Sequence, residues 1–137
     1  MGRIIGIDYG EKRVGLAVTD PLKIFASPLK SITPDEWDSF INEFLKTEKI
    51  DAFVIGYPVQ VNNKPSESVK YIDPFIKKIE KRFPGIPVHL IDERSTSQMA
   101  FRSMVDGGVT KKRRRDKAMI DRISAAIILQ SYLEKKK

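Results

Sequence analysis

The chain has 137 residues, with 25 Lys+Arg against 18 Asp+Glu for a formal charge of +7, 41% hydrophobic residues, no cysteine and one histidine. That length suits one domain, residues 1–137, because domains commonly run to roughly 100–200 residues and a chain of this size can fold without a disulfide or metal staple. The lack of cysteine excludes a disulfide framework, a thiolate zinc site and a cysteine nucleophile, no apolar run approaches the ~18 residues of a membrane span, and the carboxylate at position 8 speaks against a secretory signal, so a cytoplasmic protein is expected.

In Arg3-Ile4-Ile5-Gly6-Ile7-Asp8, alternation puts Ile5 and Ile7 on one face of a strand and Ile4, Gly6 and Asp8 on the other. Tyr9-Gly10-Glu11-Lys12 supplies a turn. Val14, Leu16 and Val18 then form one face of a second strand, with Gly15, Ala17 and Thr19 opposite. A third strand is expected within Phe25 to Ile32, short or interrupted at Pro28. Short connections between these strands imply an antiparallel meander. Thr33, Pro34 and Glu36 form a capping-box start for a helix. Trp37, Phe40, Ile41, Phe44 and Leu45 follow at the spacing of one buried stripe. Asp51 to Tyr57 reads as a central strand covered on both sides, and Pro58 to Ser66 as a loop.

Val69, Ile72, Ile76, Ile79 and Phe83 mark a second helix, which Pro74 either kinks or restarts with Asp73 as its cap. Ile86 to Ile91 is a fifth strand. Ser95 with Gln98 opens another helix, stopped by Gly107-Gly108. Lys117 to about Glu134 is the last helix, apolar around much of its circumference and therefore expected to be well buried. The order β-β-β-α-β-α-β-α-α gives an α/β fold with one mixed sheet and helices on its faces.

The charge is uneven. Residues 1–93 hold 13 basic and 14 acidic side chains, whereas residues 94–137 hold 12 basic and 4 acidic. The excess centres on Lys111, Lys112, Arg113, Arg114, Arg115 and Lys117. Such a cluster attracts polyanions through phosphate neutralisation and counterion release, although a solvated loop can carry one too. Lys12 and Arg13, beside the first turn, are further candidate phosphate contacts.

Three acidic residues stand in apolar surroundings. Asp8 ends an Ile/Gly strand, Glu93 lies just past Val88, Leu90 and Ile91, and Asp121 sits among Met119, Ile120, Ile123 and Ala125. Burying an unpaired carboxylate costs several kcal/mol. Each is therefore either an ion pair, with neighbours such as Lys12, Arg13, Arg94 or Arg122, or part of a set gathered around a cation. Hard oxygen donors without cysteine suit Mg²⁺ or Mn²⁺. Two such ions about 3.5–4 Å apart are a common device for in-line attack on a phosphodiester. Strand alternation points Asp92 and Glu93 to opposite faces, and periodicity alone does not choose between them. His89 has no partner histidine and reads as core or edge, and Ser95, Thr96 and Ser97 read as helix caps.

Gly6-Ile7-Asp8-Tyr9-Gly10 with Lys12-Arg13-x-Gly15-Leu16-Ala17, Val54-Ile55-Gly56-Tyr57-Pro58, Asp92-Glu93-Arg94-Ser95-Thr96-Ser97 and Asp121-x-x-Ser124-Ala125-Ala126 together resemble the YqgF/RuvX family. These are small bacterial proteins of RNase H-like fold, related to Holliday-junction resolvases and assigned as nucleases for the 5′ end of pre-16S rRNA. The match runs through essentially the whole chain. It departs from the family at Asn62-Asn63-Lys64, where an Asn-Gly-like turn is common.

The resemblance implies a five-stranded mixed sheet, a three-stranded antiparallel meander plus two parallel strands. It also implies that Asp8, Glu93 and Asp121 are the catalytic, metal-binding set for Mg²⁺ or Mn²⁺, and it resolves the Asp92/Glu93 choice towards Glu93. Structured RNA, held by Lys12, Arg13, Arg94 and the 111–117 run, is the expected partner. Alternatives are a resolvase acting on branched DNA, for which a homodimer instead of a monomer would count, and a non-catalytic nucleic-acid-binding regulator. An ATPase with a similar first phosphate loop would need two such domains.

Overall fold

A computed structural model describes the backbone of residues 2–57, 69–92 and 117–135, with the side chains of all of these except 92 and 117–121. Strands β1 (Arg3–Tyr9), β2 (Val14–Thr19), β3 (Ala26–Ile32), β4 (Ile50–Tyr57) and β5 (Val88–Asp92) form one sheet in the order β3-β2-β1-β4-β5. Strand β1 pairs antiparallel with β2 and parallel with β4, β2 pairs antiparallel with β3, and β4 pairs parallel with β5. This is the mixed sheet expected from the sequence, with the Asp8 strand at its centre. The helices are α1 (Trp37–Thr47), entered through a 3₁₀ turn at Pro34–Glu36, then α2 (Val69–Arg82) and α3 (Lys117–Lys135). The expected helix after Ser95 and the basic run at 111–115 lie outside the described residues.

The pleat sorts the core into two layers. Ile5, Ile7, Val14, Leu16, Phe53 and Ile55 face α1 and α2, where they meet Trp37, Ile41, Ile72, Phe75 and Ile79. On the opposite face Ile4, Ala17, Ala52, Val54 and Ile91 pack against Ala125, Ile128, Leu129, Tyr132 and Leu133 of α3. Every described side chain of α3 from Arg122 to Leu133 is buried or half-buried, so the helix is covered as its apolar circumference implied.

Three details differ from the sequence expectation or settle it. Strand β3 continues through Pro28, with a register shift against β2 between Leu16 and Ala17. An edge strand tolerates proline because its outward N–H groups need no ladder partner. Helix α2 likewise runs through Pro74 as one helix, with Pro74 on the exposed side. Leu45, expected in the α1 stripe, is 38% exposed, because Trp37, Ile41, Phe40 and Phe44 already fill the face that meets the sheet.

Candidate active site

The parallel strands β1, β4 and β5 all end at one edge of the sheet, where open α/β sheets commonly bind ligands. Asp8 lies there, half-buried, on the face that carries α3. Its neighbours across the sheet are both glycines. Gly15 is its antiparallel partner on β2, and Gly56 follows Ile55, the parallel partner of Ile7, on β4. Both are buried, and neither has a side chain to stand beside the carboxylate. The sheet thus leaves room on either side of Asp8. Sequence reasoning gives Gly15 a strand face and Gly56 a place in a motif, and sets neither beside Asp8. The available signal was a glycine at the matching position of two strands that flank an aspartate.

In front of Asp8 opens a cleft of about 240 Å³ lined by Asp8, Gly10, Glu11, Lys12 and Arg13. The turn is closed by the Gly10 N–H donating to the Arg13 carbonyl at 2.9 Å. A Cβ on residue 10 would lie 3.0 Å from that same oxygen, which explains the glycine. Lys12 and Arg13 therefore share the cleft with Asp8. A larger groove, about 510 Å³, runs along β3 and α1 on the far edge. Its acids, Glu36 and Glu43, are exposed and engaged by Thr33 and Lys46, so the chemistry belongs to the smaller cleft.

Helix α3 approaches the middle of β1 closely. A Cβ on Gly6 would come within 2.7 Å of Leu129 Cβ and 2.9 Å of the Ala125 carbonyl oxygen. At the other end of the strand pair, the Ala26 N–H donates to Gln130 Oε1 at 3.0 Å and the Ile4 N–H to Thr19 Oγ1 at 3.0 Å. The helix therefore descends as β1 ascends. Asp121 occupies the turn before Ala125, about 6 Å along the helix axis, and Asp8 lies about 6–7 Å beyond Gly6 along the strand. The two advances match, so the backbone at 121 comes level with Asp8. The Asp121 side chain, Glu93 and Arg94 lie outside what is described, as do Lys111, Lys112, Arg113, Arg114, Arg115 and the Lys117 side chain. Among the described residues, no three acidic or histidine side chains gather into a metal-ligand group.

Two tyrosines line the same rim on the α2 side. Tyr9 stacks on Phe75 with centroids 4.2 Å apart. Burial, with the charge of Asp35 added, raises its phenol above the ordinary value. The Tyr57 hydroxyl donates to Asp73 Oδ1 at 2.8 Å, and that bond raises its pKa as well. Both phenols stay protonated near neutrality and act as packing and hydrogen-bonding groups, not bases. His89, on the edge strand, packs against Tyr132 with the rings tilted and their centroids 4.7 Å apart.

A family model described as "RuvX: Holliday junction resolvase" matches residues 2–135. Two relatives, each called "Putative pre-16S rRNA nuclease", come from Bacteroides fragilis and Porphyromonas gingivalis. The first is 47% identical over 137 residues, covering 100% of this chain and 99% of the relative. The second is 48% identical over 134 residues, covering 98% and 97%. Among solved structures, the chain is similar to Thermus thermophilus RuvC in complex with a Holliday junction, with TM-score 0.58 at 18% identity and coverage of 99% and 96%. It is also similar to the fowlpox virus resolvase with its junction DNA, with TM-score 0.56 at 12% identity and coverage of 98% of each chain. These likenesses show the fold as that of the RuvC-like, RNase H-type resolvases. Among the described residues, no helix is long and apolar enough to cross a membrane.

Proposed function

The chain belongs to the RuvX family, and on that premise we propose that it is a nuclease that hydrolyses phosphodiester bonds of structured RNA, with the 5′ end of precursor 16S rRNA as its substrate in the cytoplasm. The observation that carries this reading is Asp8, set between Gly15 and Gly56 at the strand ends and sharing its cleft with Lys12 and Arg13. A carboxylate flanked by two glycines, with two cations in the same cleft, suits a phosphate that must be both bound and attacked.

Asp8, Glu93 and Asp121 form the acidic set in this reading. Support for Asp121 is the matched advance of β1 and α3 from the Gly6 contact. Support for Glu93 over Asp92 is Ile91, which is buried on the α3 side. Were the period-two alternation of β5 to continue, position 93 would share the face of position 91. The proposed donors are all carboxylates, a chemistry that fits Mg²⁺ or Mn²⁺ and not zinc. A bound divalent ion, or a pair, would supply charge neutralisation at the phosphate and at the leaving oxygen. The chain's own groups do the rest. The carboxylates would hold that cation against the sheet, and Lys12 and Arg13 would hold the phosphate's non-bridging oxygens. Arg94 and the run Lys111, Lys112, Arg113, Arg114, Arg115 and Lys117 bind the flanking backbone.

A second reading, a resolvase acting on four-way DNA, is favoured by the description of the matching family. The experiment that separates them offers a 5′-extended 16S rRNA precursor, naked and in ribosomal particles, and a four-way DNA junction, each with Mg²⁺ or Mn²⁺. Selective cutting of the rRNA extension supports the nuclease of RNA, and symmetric junction cleavage supports the resolvase. Tight binding without cleavage of either leaves a non-catalytic regulator.

A further inference from the structure

We propose, building on the nuclease reading above, that the outward ridge of α2 is a second track for the RNA backbone. It carries the part of the substrate that leaves the Asp8 cleft over the ends of the strands. Lys70, Lys77 and Lys81 of this helix are all exposed. At 3.6 residues per turn they fall within about 20° of a single line along the helix. That line lies opposite Ile72, Phe75 and Ile79, the side chains that α2 buries. The ridge is about 16 Å long and stands as far from the sheet as the helix can place it.

Any amphipathic helix turns charge outward, so sign and pairing separate a solvated face from a binding one. The neighbouring helix α1 carries a compensated surface. Lys46 Nζ pairs with Glu43 Oε2 at 3.1 Å, and Asp38 meets Lys78 Nζ at 3.0 Å and Arg82 Nη1 at 3.5 Å. The last two contacts tie one flank of α2 to α1 and engage the cations there. The acids of α2, Asp73 and Glu80, stand on its other flank, and Asp73 accepts the Tyr57 hydroxyl. Lys77 and Lys81 have no ion-pair partner among the described residues. A stripe of one sign, left uncompensated, attracts a polyanion and gains from counterion release.

Position joins the ridge to the site. The first turns of α2 are pinned at the carboxyl ends of the strands, where Tyr57 bonds Asp73 at 2.8 Å and Tyr9 stacks on Phe75. Lys70 therefore stands at the rim, and Lys77 and Lys81 lead away from it along the outer layer. Tyr9 and Tyr57 come level across β1 and β4, two residues beyond the Ile7–Ile55 pair. A strand passing from Lys12 and Arg13 to Lys70 crosses these two rings. Asp8 faces the α3 layer and the ridge belongs to the α2 layer, so RNA that touches both bends over the end of the sheet. A single-stranded extension makes that turn readily, and a straight duplex does not.

The test measures binding of the full chain to a fluorescent 5′-extended 16S rRNA precursor fragment, in EDTA, as KCl is raised. Lys77→Gln/Lys81→Gln removes two ridge charges, and Lys46→Gln/Lys49→Gln removes two elsewhere as control. All four positions are exposed, and circular dichroism melts check that each variant folds. The expected log–log salt slope is lower by about 1.5 units in the ridge variant, at about 0.7–0.9 per phosphate contact, and unchanged in the control. The chain has no cysteine, so Lys77→Cys and Lys46→Cys each offer one thiol for a photo-crosslinker. RNA should be captured from position 77 and not from 46. A ridge slope equal to that of the wild type or the control, or no capture from 77, overturns the proposal. So does a slope loss on a four-way DNA junction with none on the RNA. The nuclease reading survives those outcomes where Lys12→Ala and Arg13→Ala still lower the RNA slope, and it falls with the proposal if the wild type binds no RNA.

Discussion

Gly6→Ala tests how the site is assembled, because Gly6 is where α3 touches the central strand. An added Cβ would sit 2.7 Å from Leu129 Cβ and 2.9 Å from the Ala125 carbonyl oxygen, against the ~3.5–4.0 Å of an ordinary contact. Neither obstacle can rotate away, since one is backbone and the other is fixed to it. The helix must retreat by about 1 Å along its best-packed stretch. Overpacking of this kind costs about 1–3 kcal/mol, and at a contact with backbone we take the upper end. Relief of the glycine's entropic cost returns about 0.5–1 kcal/mol. The net loss is about 2 kcal/mol, or about 6–10 °C in Tm for a chain of this length.

Thermal unfolding followed by circular dichroism measures it, alongside cleavage at a temperature where the variant is folded. Cleavage should fall with the displacement of α3. Leu129→Ala in the same background should not restore stability, because the offending Cβ and carbonyl remain. A Gly6→Ala protein with wild-type Tm would refute the close approach, and with it the matched levels of Asp8 and residue 121.

Three further outcomes are expected. The Asp20 carboxylate is held below the ordinary carboxylate range, first by the N–H of Phe25 and then by those of Ile24 and Leu22. Its contribution to loop order is therefore complete above pH ~4 and lost as pH falls through the lower folded value. The amide shifts of residues 22, 24 and 25 should report that low midpoint in an NMR titration and lose it in Asp20→Asn; a midpoint at the ordinary value contradicts the hydrogen bonding. Phe53→Ala removes a fully buried ring lying 6.3 Å from Trp37 and 5.5 Å from Phe83, which should cost about 3–5 kcal/mol in denaturant unfolding followed by the single tryptophan. Lys12→Ala and Arg13→Ala should each lower the salt dependence of RNA binding by about one unit of log–log slope; an unchanged slope removes them from the phosphate contacts.

Much of this was legible in the chain. Alternation in β1 and β2 assigned Ile5 and Ile7 to one layer and Ile4, Gly6 and Asp8 to the other, because a pleated strand with two buried faces has no other register that keeps its apolar residues covered. Pro74 was ambiguous, since local rules allow either a kink or a restart. The choice came from tertiary packing of Ile72, Phe75 and Ile79 on the sheet. Phe75 itself was missed, although it belongs to that stripe and forms the platform for Tyr9. The pair of glycines flanking Asp8 was also out of reach. Gly15 and Gly56 come to either side of the Asp8 strand only through pairing of three strands, and strand pairing is a long-range fact. The exposed loop at Leu22 to Phe25 left no mark in the periodicity, because its order comes from Asp20, Asp51 and Gln130, residues far apart in the chain.

The central claim is that Asp8 serves phosphodiester hydrolysis and not the fold. Its most direct measurement compares wild type with Asp8→Asn on the 5′-extended 16S rRNA precursor, in particles and naked, with Mg²⁺ or Mn²⁺, after matching their melting temperatures and RNA affinities. The account predicts metal-dependent trimming by the wild type and loss of at least a thousandfold in rate, on the order expected when a group central to the reacting phosphate is removed, with binding retained. Equal cleavage by Asp8→Asn, or cleavage by the wild type that ignores removal of the metal, would contradict it.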